Sequence, residues 1–203
     1  QFVPRLGNMC LLERKKNTFN IHELIDEKDV TPELFYTIVE ISKGSKNKYE
    51  LDKKTGLLRL DRILFTSTHY PANYGFIPRT YSSDDDPLDV LILTNEEIIP
   101  NALVQCRAIG VIKMIDNGQI DEKIIAVCIN DPLYNSFYDI SQLPNHIFEE
   151  IKHFFEVYKT LENKLTFVGN IEGNEKAKEI IAKSIKAYNR RLKEDDDEIE
   201  SFS

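Results

Sequence analysis

The spacing of apolar and polar positions changes character once, well past the middle of the chain. Up to residue 128 the apolar residues fall in short runs rich in β-branched and aromatic side chains, bounded by Gly, Asn, Asp and Pro, a pattern that predicts strands. These strands are expected at 34–41, 48–51, 57–61, 90–93, 104–115 and 123–128. Asp52, Lys53, Lys54, Thr55 and Gly56 read as a hairpin loop, and Asp116, Asn117 and Gly118 as the turn joining the last two strands. Beyond this point Leu143, Ile147, Ile151, Phe154, Tyr158 and Leu161 recur every third or fourth residue, which predicts one amphipathic helix. Ala177, Ile180, Ile181, Ile185, Tyr188 and Leu192 mark a second. Strands followed by helices predict an α+β fold in which a small barrel or curled, mostly antiparallel sheet is flanked by two helices.

Three segments follow from the same pattern. Residues 1–33 are charged and weakly periodic, with a short helix expected near Ile21 to Ile25, and read as an extension packed on the domain. Residues 34–192 form the domain itself, and the acidic residues 193–203 read as a solvated or disordered tail.

Composition narrows the class. A length of 203 residues with 41% hydrophobic content supports one well-buried core rather than two. The 34 acidic residues outnumber the 26 basic ones, and the resulting charge of -8 repels nucleic-acid backbones and anionic membranes. A general nucleic-acid binder is therefore disfavoured unless a local basic patch intervenes. The longest apolar runs, 88–93 and 124–129, fall far short of the roughly 20 residues that cross a bilayer. Cys10, Cys106 and Cys128 form neither a close pair nor a metal-spaced cluster, and they read as reduced packing residues of a cytoplasmic protein. The first residue is Gln rather than Met, so a preceding segment, with any organellar targeting in it, stays open.

The candidate chemistry begins at Asp84, Asp85, Asp86, Pro87, Leu88 and Asp89, directly ahead of a strand. Carboxylates this dense repel one another unless they are solvated or have divalent cations between them, and their hard oxygens suit Mg²⁺. From this stretch alone, an acidic surface loop and a cation site are equally open. An EF-hand fits poorly, because Asp89 stands where its loop needs Gly. Asp116 and Asp121 flank the Gly118 turn with Lys123 just beyond, an arrangement that is by itself an ordinary polar turn. Tyr70 to Phe76 is rich in Tyr and turn-forming residues, and Tyr hydroxyls can donate to phosphate oxygens. Lys48 and Glu50 share one face of a strand, with Glu40 and Arg62 on or beside neighbouring strands. Each group alone reads as routine surface charge.

Together these positions resemble the soluble family I inorganic pyrophosphatases. The likeness runs in order from about residue 34 to 190 and includes Glu40 to Arg62, Tyr70 to Phe76, the Asp84, Asp86, Pro87, Asp89 signature, Asp116 with Asp121 and Lys123, and Tyr158 with Lys159. The resemblance implies a five-stranded OB-like β-barrel with two principal helices, and hydrolysis of pyrophosphate to two phosphates. It implies several Mg²⁺ ions per site, with Mn²⁺ or other divalent ions as substitutes. Asp84, Asp89 and Asp121 would bind the first ion, Asp89 would bridge to a second, and Asp116, Asp121 and Glu40 would complete the sites that arrive with substrate. Asp86 would be the general base. Lys48, Arg62, Tyr74, Lys123, Tyr158 and Lys159 would hold the phosphoryl groups, with Glu50 and Tyr70 in support. A homo-oligomer, dimer or hexamer according to branch, is also implied. The departures from the pattern lie in the two terminal extensions and touch none of these positions.

Two other readings use the same residues. An OB-like barrel could serve as a non-catalytic binding module, but such a groove should be basic with interleaved aromatics, and this one concentrates aspartates. A broader phosphatase acting on nucleotides or phosphoesters needs a more open cleft, which sequence does not report.

Overall fold

The computed structural model describes residues 21–52, 55–83, 86–116 and 118–201. Several expectations therefore lie outside the described residues: the extension over 1–20 with Cys10, Lys53 and Lys54 of the hairpin loop, Asp84 and Asp85, Asn117 of the turn, and the last two residues of the tail. In chain order the elements are β1 (Phe35–Ile41), β2 (Asn47–Leu51), β3 (Leu58–Ile63), β4 (Asn73–Phe76), β5 (Asp89–Leu93), β6 (Leu103–Asp116), β7 (Gln119–Cys128), α1 (Asn145–Val157), β8 (Thr166–Gly173) and α2 (Asn174–Ser201). A 3-10 turn, Ile21–Leu24, precedes them where the short helix was expected.

Strands β1, β4, β5, β7 and β6 pair in that order, and β6 pairs back with β1, so five strands close into a ring. The β5–β7 pair is parallel and the other four are antiparallel. This is the five-stranded barrel with two helices that the sequence predicts, but its membership differs. The predicted strands at 48–51 and 57–61 form a separate hairpin, β2–β3. The ring instead takes β4, from a segment whose Asn, Gly and nearby Pro signal a turn. Tertiary pairing overrides that local signal: Gly75 lies so close to β1 that a Cβ there would stand 2.0 Å from the Ile38 carbonyl oxygen. Strand β8, which the sequence reading omits, adds to the outer edge of β6 between the two helices.

Period-two alternation sorts most ring residues into two cores, while Ile38 and Phe76 join Leu51 of the hairpin in a smaller third. On β5, Val90 and Ile92 pack with Ala177, Ile180 and Ile181 of α2. Leu91 and Leu93 face the other way, joining Phe148, Ile151, Phe154 and Phe155 of α1. Both faces of β5 are buried, which accounts for its unbroken apolar run. Cys106 and Cys128 sit buried and free within the first core.

Helix α1 ends earlier than its apolar stripe suggests. Tyr158 caps it, a 3-10 turn occupies Thr160–Glu162, and Asn163 turns left-handed at φ 57°. The change of pitch leaves Leu161 64% exposed, off the stripe that buries Phe154 and Tyr158. At the other end of the chain, α2 runs through the acidic residues to Ser201, past the boundary expected at 192. Among the described residues no helix is long and apolar enough to cross a membrane.

Candidate active site

The polar cluster is the continuation of the apolar stripes that face α1. On β5 the stripe Leu93, Leu91 ends at Asp89. On β7, Val127 and Ile125 lead to Lys123 and Asp121, and on β6, Ile112 and Met114 lead to Asp116. Three strands thus deliver their charged ends to one place. Glu40 arrives differently: pairing of β1 with β4 slips between Val39 and Ile41, and Glu40 is the residue at the irregularity.

A cavity of about 320 Å³ opens at these strand ends. Its wall includes Glu40, Asp86, Asp89, Asp116 and Asp121 among the acids. Lys48, Lys123 and Lys159 contribute the cations, and Tyr70, Tyr74 and Tyr158 the phenols, with Glu50 beside Lys48. Arg62 stands behind this wall, opposite Lys48 in the β2–β3 register. Asp84 lies outside the described residues.

Lys123 is the hub. Its Nζ donates to Asp89 Oδ2 at 2.7 Å, to Asp121 Oδ1 at 2.9 Å and to the Tyr74 hydroxyl at 3.0 Å, and Tyr74 in turn donates to Asp89 at 2.5 Å. The Lys123 side chain is only 4% exposed. Burial would lower its pKa, but the Asp89 charge in particular, with Tyr74 and Asp121, holds it well above the usual lysine value. Burial likewise pushes the hydroxyls of Tyr70, Tyr74 and Tyr158 up, so all three are neutral donors near pH 7.

Two further pairs frame the cavity. Lys159 bonds one oxygen of Asp116, whose other oxygen, Oδ1, is buried without a partner among the described residues. Lys48 bonds Glu50 and reaches Asp61 at 3.1 Å. Asp61 also accepts from Arg62 Nη1 at 2.6 Å, while Arg62 Nε donates to Glu162 at 3.1 Å. Burial would raise the Asp61 carboxyl, but Lys48 and Arg62 hold it below the usual carboxylate range. The remaining guanidinium nitrogen, Nη2, is buried and unpaired among the described residues. Asp61 and Glu162 are absent from the candidate residues read from sequence. Asp61 was legible as a charge next to Arg62, whereas Glu162 meets Arg62 only because the chain turns after α1.

The donor set suits hard divalent cations. Glu40, Asp89, Asp116 and Asp121 offer carboxylate oxygens, and among the described residues the buried Oδ1 of Asp116 is an acceptor without a donor. Among the described residues no three acidic, His or Cys groups converge as ligands of one ion. Between Asp89 and Asp121 the cation is the Lys123 ammonium.

Glu40 carries the clearest electrostatic signature of such a site. Burial, offset in part by the Leu51 amide at 2.8 Å and reinforced by the charges of Asp89 and Glu50, raises its carboxyl from 4.5 to about 8. Between these two values the folded protein retains a proton that the unfolded chain has released. Stability of the metal-free protein therefore falls as pH rises from 4.5 to about 8, approaching ~1.4 kcal/mol per pH unit from this group. Denaturant melts across pH 5 to 8 check this against Glu40→Gln, which should lose that slope; parallel slopes for the two proteins would refute it.

The family profile for inorganic pyrophosphatase matches residues 37–189. Soluble inorganic pyrophosphatase from Zea mays is 52% identical over 188 residues, covering 92% of this chain and 88% of its own. Soluble inorganic pyrophosphatase 1 of Arabidopsis thaliana is 46% identical, with coverage of 92% and 89%. Among solved structures, inorganic pyrophosphatase from Helicobacter pylori superposes with a TM-score of 0.77 at 44% identity, over 79% of this chain and 96% of that one.

Proposed function

Because the chain belongs to the inorganic pyrophosphatase family, we propose that it hydrolyses pyrophosphate to two phosphates in this cavity, with Mg²⁺ or another divalent ion as cofactor and Asp86 as general base. The observation that carries the reading is the meeting, in one wall, of carboxylates for cations with lysines and neutral phenols for phosphoryl oxygens.

Pyrophosphate is a compact polyanion, so an attacking oxygen must be made both nucleophilic and able to approach. Asp84, Asp89, Asp116, Asp121 and Glu40 would hold divalent cations, which supply positive charge to the substrate and lower the pKa of water. Asp86, on the loop entering β5, takes the proton from water as its oxygen attacks one phosphorus. The bond from that phosphorus to the bridging oxygen breaks, and the second phosphate leaves with the bridging oxygen. Lys123 and Lys159, little exposed and paired with Asp89, Asp121 and Asp116, place fixed positive charge beside the phosphoryl oxygens.

Arg62 and Lys48 serve the hairpin side, where among the described residues the buried Nη2 of Arg62 has no acceptor. Tyr158 offers its hydroxyl hydrogen and Tyr74 faces the same site with its hydroxyl donated to Asp89, while Glu50 orients Lys48, and Tyr70 packs its ring 5.4 Å from that of Tyr74. Assembly as a homo-oligomer belongs to the same reading and is supported by Leu161, Leu165 and Phe167, which stand exposed on and beside β8.

A nucleic-acid module would need aromatic platforms open to bases. Tyr70, Tyr74 and Tyr158 are 2%, 8% and 4% exposed, which speaks against stacking on them. The test is phosphate release from pyrophosphate with Mg²⁺, run beside ATP, a phosphomonoester and a chelator control. Pyrophosphate-selective release that stops on chelation is expected. Release that is equal across the substrates, or absent with both Mg²⁺ and Mn²⁺, would overturn the proposal.

A further inference from the structure

The loop that carries Asp86 joins β4 to β5, and it is held at three places. At its neck the Ile77 amide donates to the Leu88 carbonyl at 2.9 Å, and Thr80 Oγ1 donates to the Ile77 carbonyl at 2.6 Å while accepting from the Leu88 amide at 2.9 Å. On one side α2 takes hold, with the Tyr81 amide donating to the Ser184 carbonyl at 3.0 Å and Arg191 stacked over the Tyr81 ring. The third anchor comes from outside the barrel, from the segment that precedes β1. There the Arg79 amide donates to His22 Nδ1 at 3.0 Å, and Arg79 Nε donates to the Ile25 carbonyl.

Two features mark this third anchor as more than packing. Arg79 has φ 57°, a left-handed conformation that a residue with a Cβ keeps only where its surroundings hold it. His22 is 9% exposed and its bond to the Arg79 amide is part-buried, so loss of the acceptor would leave that N–H poorly solvated at the root of the loop. The imidazole lies 5.3 Å from the Tyr188 ring of α2 and 6.0 Å from Phe76, whose register partner across β4–β5 is Asp89. Ile21 and His22 themselves form part of the cavity wall. Within the loop, the Ser82 amide donates to the Asp86 carbonyl at 2.8 Å, which links the Arg79 end to the Asp86 end.

We infer that His22 is a positioning residue for pyrophosphate hydrolysis, fixing the loop of Asp86 through its bond to the Arg79 amide. The inference rests on the proposed role of Asp86. It makes the segment before β1 a working part of the site.

Two substitutions separate the acceptor from the ring. His22→Phe keeps an aromatic ring between Tyr188 and Phe76 and removes the acceptor; His22→Asn offers an amide oxygen and removes the ring. His22→Phe should lower kcat for pyrophosphate about tenfold, with KM held within about twofold, and His22→Asn should recover most of the loss. In an Asp86→Asn background, His22→Phe should have little further effect, because both changes act on one step. A wild-type kcat in His22→Phe would overturn the inference, as would the same tenfold fall in the Asp86→Asn background, or an Asn variant as impaired as the Phe variant. Amide hydrogen exchange over 79–86 reads the same point without turnover: it should quicken in His22→Phe. Unchanged exchange overturns the inference, whatever the activity of the wild-type enzyme.

Discussion

Asp86→Asn lowers kcat for pyrophosphate by about 10²- to 10³-fold, the usual contribution of a positioned general base, while KM stays within about threefold. Asn keeps the size and the hydrogen-bonding oxygen of the side chain but cannot take up a proton. The residue stands exposed in the cavity wall on a loop anchored at its neck, so the substitution leaves the barrel and its cores untouched. Steady-state kinetics in saturating Mg²⁺ read the effect. A kcat near the wild-type value would remove Asp86 from the role, and a rise in KM alone would reassign it to binding.

Lys123→Met is expected to act on stability as well as turnover. The lysine is the one cation between Asp89 and Asp121 among the described residues, and its removal leaves two carboxylates facing each other without it. Breaking a buried pair from one side costs about 3 to 5 kcal/mol, and the lower end applies here because Asp89 is 27% exposed. The metal-free variant should therefore unfold about 3 kcal/mol more easily than the wild type. Divalent cations should restore much of this loss, since they satisfy the same two carboxylates, whereas turnover should remain low because Lys123 also serves the phosphoryl oxygens. Urea melts with and without Mg²⁺ separate the two effects. A variant as stable as wild type without metal would show that Lys123 does not neutralise the cluster.

How much of this was legible beforehand differs from element to element. Strands β5, β6 and β7 announce themselves because burial on one or both faces imposes apolar runs or alternation. β4 does not, since Asn73, Tyr74, Gly75 and Phe76 become a strand only through their partners, and β8, with much of its length exposed, carries little apolar signal. The same physics governs the site. Asp89, Asp116, Asp121 and Lys123 stand at ends of apolar stripes, where a charged residue on a core-facing register position is conspicuous. Glu40 was visible as a charge but not as the residue at a register slip, which is what turns it toward the cavity. Glu162 and His22 were missed because they act through single long-range contacts, to Arg62 and to the Arg79 amide, that no periodicity records.

On the proposed mechanism the carboxylates at the strand ends hold the catalytic cations. Anomalous diffraction from crystals grown with Mn²⁺ and a pyrophosphate analogue tests it most directly. Mn²⁺ peaks are expected within the cavity, beside Asp89, Asp116 and Asp121, with Glu40 ionised next to them. Full activity in Mn²⁺ with peaks only outside this cavity would contradict it.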